Sequence, residues 1–393
     1  MQHVPLHCQS PRVAAVQTPV IPIVSRWIAE TPDTISLGQG IVWYGPPPEA
    51  IEAARRFGSS LADHRYGPVE GLPALVRAVE DKLARENGIT VRGSSRVVVT
   101  AGGNLAFLNA VLAVSDPGDE VILPAPYYFN HEMAIVLAGG RAVPVATRRD
   151  YQLDVRAIAD AVTPRTRAIV TVSPNNPTGA VYSEESLRAV NTICAERGVF
   201  HIHDEAYEYF TYEGSPRCSP GSFDGASEHT ISLYSLSKAY GMASWRMGYM
   251  VIPEILWEAV NKIQDTALIC PPAVSQHAAL GALRVGQAYA SARLADLDAL
   301  RRLIFDKLAD PDVPCEVTPV GGAFYYLVRV SSSLDSLALT ERLIREHRVA
   351  VIPGSAFGDA EGCSIRISYG ALDAESVKEG IGRLVQGLRA EEG

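Results

Sequence analysis

Lys238 sits in Tyr234-Ser235-Leu236-Ser237-Lys238, with Trp245-Arg246 a short step further on. The residues before it, Thr230–Tyr234, read as a buried strand. A lysine at the end of such a strand, beside two hydroxyls and an arginine, is poorly explained as surface decoration. Nearby positive charge lowers a lysine's pKa and frees its amine for nucleophilic work. Three other segments belong with it. Thr100-Ala101-Gly102-Gly103-Asn104 passes from a strand through glycines into a helix, and bare amides at a helix N-terminus attract anions. A plain tight turn is the competing reading, and the absence of Gly-x-x-x-x-Gly-Lys-Ser/Thr or Gly-x-Gly-x-x-Gly disfavours a nucleotide. Ser173-Pro174-Asn175-Asn176-Pro177-Thr178-Gly179 follows the strand Ala168–Val172. Its prolines either hold an Asn side chain rigidly at the sheet edge or merely make a turn. His203-Asp204-Glu205-Ala206-Tyr207 puts an acid at the end of an apolar strand, where an ionised Asp is costly unless it meets a cation or several donors.

Together these segments offer an anion cup, a rigid Asn, a buried carboxylate with a Tyr, and a reactive amine. That inventory suits an aldehyde cofactor carrying a phosphate and a pyridine nitrogen. A metal site at His201, His203 and Asp204 is the rival. The sequence indicates no further donor converging on them, so no metal is expected.

The elements that must position these groups are legible as a rhythm. Arg96–Thr100, Glu120–Leu123, Arg141–Val145, Arg167–Val172, Val199–His203, Thr230–Tyr234 and Gly248–Ile252 read as strands. Amphipathic stretches such as Asn104–Val114, Phe129–Ala138 and Ser183–Arg197 lie between them. Such alternation predicts an α/β fold with a mostly parallel sheet covered by helices on both faces. Ligands bind such sheets at the carboxyl ends of the strands, where the four segments lie. After about residue 275, long helical segments run to Leu308, strands are expected near Phe324–Val330, Val349–Ile352 and Ser364–Ser368, and a helix closes the chain over Asp373–Arg389. The second part reads as a smaller α+β domain. The first 45 residues, with several prolines and Gly38-Gln39-Gly40, read as an irregular arm packing across both domains or onto a partner subunit.

A chain of 393 residues is long enough for two domains, and 47% hydrophobic with 20% charged residues is ordinary for a globular protein. The formal charge of −9 gives no general attraction to nucleic acid or anionic lipid. Six cysteines, at 8, 194, 218, 270, 315 and 363, make no Cys-x-x-Cys pair and fit a reducing compartment. Residues 1–20 lack a secretory layout, no apolar run is long enough to span a bilayer, and the cytoplasm is the expected location.

On these motifs the chain resembles the class I/II aminotransferases, fold-type I enzymes dependent on pyridoxal 5′-phosphate (PLP), from about Ser36 to the C-terminal helix. The resemblance implies a seven-stranded, mostly parallel sheet in a large domain over residues 46–280. It also implies an arm over 1–45 and a small domain over 281–393. Lys238 matches the lysine that holds the cofactor as a Schiff base. Asp204, in Asp-Glu-Ala-Tyr, matches the acid that keeps the ring nitrogen protonated. Asn176, in Asn-Pro-Thr-Gly, and Tyr207 match the partners of the ring oxygen. Gly102, Gly103, Asn104, Ser235, Ser237 and Arg246 match the phosphate cup. Tyr66, in Arg-Tyr-Gly-Pro-Val-Glu-Gly, resembles a tyrosine that reaches the phosphate of a neighbouring subunit, which implies a homodimer with shared active sites. Arg366, in Ile-Arg-Ile-Ser-Tyr-Gly, matches the arginine that grips the substrate α-carboxylate, and Gly38 a backbone position beside it. Tyr128 stands where the family often has a Trp on the cofactor ring, and His131 resembles a histidine supporting the Asp.

The implied function is transfer of an amino group from an L-amino acid to a 2-oxo acid. A PLP-dependent β-lyase, or a cyclase or synthase of specialised metabolism, shares the same cofactor residues and stays open. A DNA-binding regulator built on this fold would carry an extra N-terminal module, for which no room is expected. A catalytically dead homologue is disfavoured because every cofactor residue has its match. A dicarboxylate substrate would need a second cation, and none can be assigned from the sequence. Trp43, Tyr44 and Tyr128 point to apolar, aromatic or sulfur-containing side chains, unless Trp43 and Tyr44 only pack the arm.

Overall fold

The computed structural model describes residues 9–212, 214–215, 217–359 and 362–391. The first eight residues, on which Cys8 and part of the leader argument fall, lie outside the described residues. Thirteen strands form three sheets among the described residues. β1 (Ile35–Ser36) lies in the arm. Then come β2 (Ser95–Thr100), β3 (Glu120–Ala125), β4 (Arg141–Ala146), β5 (Thr166–Val172), β6 (Phe200–Asp204), β7 (Thr230–Ser235) and β8 (Gly248–Pro253). These seven make one sheet in the order β2-β8-β7-β6-β5-β3-β4.

Only β8 runs against its neighbours. That reversal positions the site. The parallel strands all end at one edge, and β8 begins there, so the residues just before it, Arg246 included, join the strand ends on the same rim. The strands are nearly continuous apolar runs because both faces are covered. Ile202, Ile231 and Leu233 pack under Ala106, Phe107 and Val111 of the helix Gly103–Val114. Burying each Ile or Leu contributes about 1.5–3 kcal/mol, which fixes strand ends to helix starts.

β9 (Cys315–Val317), β10 (Tyr325–Val330), β12 (Ile352–Pro353) and β13 (Cys363–Ser368) form an antiparallel sheet in the order β12-β13-β10-β9. β11 (Val349–Ala350) pairs in parallel with β1 of the arm. The single strand expected at Val349–Ile352 is therefore two, split at Val351 between different sheets, and β9 was not anticipated. A four-residue apolar run has no feature that reveals its pairing partner.

The arm is also more regular than expected. Val20–Glu30 is a helix, with Pro22 in its first turn, where a missing N–H costs nothing. It buries Val20, Val24 and Trp27 against Ile344, Ile352 and Phe357. No helix among the described residues is long and apolar enough to cross a membrane.

Candidate active site

A cavity of about 360 Å³ opens at the carboxyl edge of the large sheet. β7 ends at Ser235, whose hydroxyl accepts the Ser237 N–H at 3.2 Å and caps a short helix carrying Lys238 into the cavity. The Lys238 amine donates to the Gly40 carbonyl of the arm, and Tyr44 holds the Lys238 carbonyl at 3.0 Å. Burial lowers the amine's pKa to about 8; Arg366 and Arg246 push the same way, and Asp204 opposes them. At pH 7 about a tenth of the amine is then unprotonated, against well under a thousandth at the ordinary value. The rate at which added PLP develops the visible absorption band in apoenzyme should rise about tenfold per pH unit and level off near pH 8. A rise continuing towards pH 10 would remove the effect of burial from the account. The same shift opposes folding: below pH about 8 the cost is full, and it fades as pH rises towards 10.5, where both states lose the proton.

Asp204 ends β6 and faces the cavity. Its Oδ2 lies 3.1 Å from His131 Nε2, and its Oδ1 accepts the Ala206 N–H at 2.9 Å. His131 is stacked on Phe107 with centroids 3.9 Å apart, which sets the angle at which it meets the carboxylate. Glu205 turns the other way, where Tyr234 and Ser219 donate to it at 2.7 and 2.6 Å. His201 and His203 do not join Asp204. They flank the Thr171 hydroxyl at 2.7 and 2.6 Å, and burial holds the His203 imidazole down to about 4.

The loop after β5 separates its two asparagines. Asn175 ties the loop to itself, accepting from Thr178 N–H and hydroxyl at 3.1 and 2.8 Å. Asn176 faces the cavity, with Nδ2 3.5 Å from the Tyr207 hydroxyl and Oδ1 accepting from Arg366 at 2.9 Å. Arg366, 2% exposed on β13, also donates to the Gly38 carbonyl at 2.7 Å. Its guanidinium lies 4.7 and 4.9 Å from the Tyr325 and Phe357 ring centroids, and its Nε is buried without a partner among the described residues. None of the ion pairs among the described residues includes Arg366, Lys238 or Arg246. The cavity therefore gathers three cations around one carboxylate, Asp204. Arg366 is buried, and a buried unpaired cation is costly unless an anion joins it.

Gly102 lies just behind one corner of this cavity, next to Gly103, which lines it. Its φ of 87° and ψ of 168° start the helix Gly103–Val114 with its first amides turned outward. A Cβ at Gly102 would sit 2.4 Å from Arg246 Nη2, so glycine leaves room for the guanidinium against this turn. Gly103, Asn104, Ser235, Ser237 and Arg246 line the same corner. Tyr128 lines the cavity edge-on to His131, at 5.2 Å and 82°, and burial raises its phenol to about 12. An anion cup, an acid and an amine lining one cavity fit pyridoxal phosphate.

One of the two open readings of Trp43 and Tyr44 falls away. Trp43 and Tyr44 do not line the cavity. Trp43 is packed edge-on to Tyr44, and Tyr44 meets Tyr289 edge-on and lies under Arg293 behind the lysine. Tyr66 is 81% exposed and stands apart from the other residues within this chain. Tyr325, Gln39, Gly40, Ile21, Ile41 and Phe129 also line the cavity without having been anticipated. Tyr325 and Phe129 sit in apolar runs that look like core, and the arm carries no chemical signature.

This is the fold of a PLP-dependent transaminase. The family model "Aminotransferase class I and II" matches residues 32–384, so the chain belongs to that family. It is 34% identical to an aspartate aminotransferase of Pyrococcus abyssi, over 91% of this chain and 92% of that one. It is 33% identical to aromatic-amino-acid aminotransferase 2 of Thermococcus litoralis, over 90% and 92%. The solved aspartate aminotransferase of Thermus thermophilus with maleate superposes with a TM-score of 0.88 at 33% identity, covering 98% of this chain and 100% of that one. The protein is a PLP-dependent transaminase acting on amino acids and 2-oxo acids. The lyase and cyclase or synthase alternatives are not favoured by these relatives.

Proposed function

We propose that the protein moves the amino group of an L-amino acid with an apolar or aromatic side chain to a 2-oxo acid in the Lys238 cavity. The observation that carries this is the division of the cavity. Its cations, Lys238, Arg246 and Arg366, each have a task, and Ile21, Ile41 and Phe129 add apolar side chains to the lining. A second substrate carboxylate would meet no further cation among the described residues of this chain.

When bound, PLP supplies an aldehyde that condenses with amines and a ring that takes up electrons. In this reading the amides of Gly102, Gly103 and Asn104, with Ser235, Ser237 and Arg246, take the phosphate. Asp204, steadied by His131, keeps a proton on the ring nitrogen. Asn176 Nδ2 and the Tyr207 hydroxyl donate to the ring oxygen, and Tyr128 covers the ring. Arg366, Asn176 and the Gly38 segment grip the α-carboxylate and so aim the Cα–H at Lys238. The Lys238 amine, when free, would take that proton and give it back, serving as base and then as acid. Tyr66, being exposed, suits a role in the phosphate site of a second copy in a homodimer. Arm, large domain and small domain are taken as 1–45, 46–280 and 281–393, and the cytoplasm as the location.

A panel of donors against 2-oxoglutarate and pyruvate tests the substrate class. An aromatic or aliphatic donor should exceed aspartate in kcat/KM by about thirtyfold or more, since an unpaired carboxylate costs 2–5 kcal/mol in such a pocket. Aspartate as the best donor would overturn the apolar reading.

A further inference from the structure

We infer that Tyr325 is a positioning residue that acts on the cofactor's ring oxygen through Tyr207. The inference rests on the proposed contact between Tyr207 and that oxygen. Tyr325 opens β10 in the small sheet and is fully buried, with its phenol oxygen 2.7 Å from that of Tyr207. The rings meet edge-on, with centroids 5.4 Å apart at 81°, so the contact is set by packing and not by a flexible chain. Gly40 leaves room for it: a Cβ there would lie 2.8 Å from the Tyr325 oxygen.

The hydrogen count decides the direction. A phenol has one hydrogen and can both donate and accept. If Tyr207 donates to the ring oxygen, its own oxygen must accept the Tyr325 hydrogen. The Asn176 amide at 3.5 Å is too distant to serve instead. The result is a chain of donors from Tyr325 through Tyr207 to the ring oxygen, and each bond in such a chain polarises the next. A stronger donation favours the ring oxygen as an anion, and so favours the deprotonated form of the cofactor on Lys238. The charged and titratable groups facing the two phenols are Arg366, Tyr128, Lys238 and Asp204, and the Tyr→Phe changes below leave all four in place.

The test is a pH titration of the visible absorption band of the holoenzyme, with no substrate present. Tyr325→Phe keeps the ring against Arg366 and removes only the hydroxyl. Its band midpoint should rise by roughly 0.5 to 1 pH unit, the loss of a modest part of one hydrogen bond. Tyr207→Phe should raise it further, and the double variant should match Tyr207→Phe alone, because the path is already cut. A midpoint that moves in Tyr207→Phe but not in Tyr325→Phe overturns the inference and leaves the Tyr207 contact standing. Unmoved midpoints in both overturn the Tyr207 contact and the inference with it. Additive shifts in the double variant also contradict it, since they would mean that Tyr325 acts by another route.

Discussion

Lys238→Ala is expected to abolish the visible band of the purified enzyme and to lower turnover by at least three orders of magnitude. The amine is the group the cavity is arranged to activate: burial and two arginines bring its pKa down to about 8. In the proposed reading alanine removes both the covalent anchor and the base that moves the Cα proton, and proton transfer alone is worth 10²–10⁴-fold. Cofactor should still bind, because the corner at Gly102 and Arg246 does not depend on the lysine. Absorbance spectra and steady-state assays of the variant measure both effects. A variant that kept the band and the activity would remove Lys238 from the account.

The second large effect is expected at Asp204. Asp204→Asn keeps the size and one acceptor, so the contacts with His131 and the Ala206 N–H need little rearrangement. It removes the one negative charge that, among the described residues, lines a cavity with three cations. The ring nitrogen would then lose the charge that keeps it protonated, at the moment the ring must take up electrons. Removing one aimed electrostatic partner typically costs 10²–10³-fold in kcat, and a fall of that order is predicted, with KM changing far less. Rates within a fewfold of the unaltered enzyme would mean that Asp204 shapes the fold and not the chemistry.

How much of this was legible in the sequence follows from what each residue does locally. Lys238, Asp204, Asn176 and the Gly102–Gly103 turn sit where strands end, next to residues that mark the end themselves. Their chemistry and their position are visible in a few neighbouring letters. The central sheet was legible for the same reason, since parallel strands buried on both faces are continuous apolar runs. Arg366 was found only by resemblance, because nothing in Ile-Arg-Ile-Ser tells a strand arginine in solvent from one buried against Gly38 and Asn176. Tyr325 reads as core in Phe324-Tyr325-Tyr326-Leu327, and its hydroxyl acquires meaning only when two sheets meet. The arm misled in the other direction. Pro19 and Pro22 suggest irregular chain, yet one caps a helix and the other lies in its first turn.

The most direct measurement of the central claim is a half-reaction. Holoenzyme is mixed with a good donor amino acid and no 2-oxo acid, and the released 2-oxo acid and ammonia are counted against Lys238 sites. A transaminase must stop after one equivalent of 2-oxo acid per site, release no ammonia, and resume only when an acceptor is added. Continued release of 2-oxo acid and ammonia without acceptor would show a lyase, and would contradict the account.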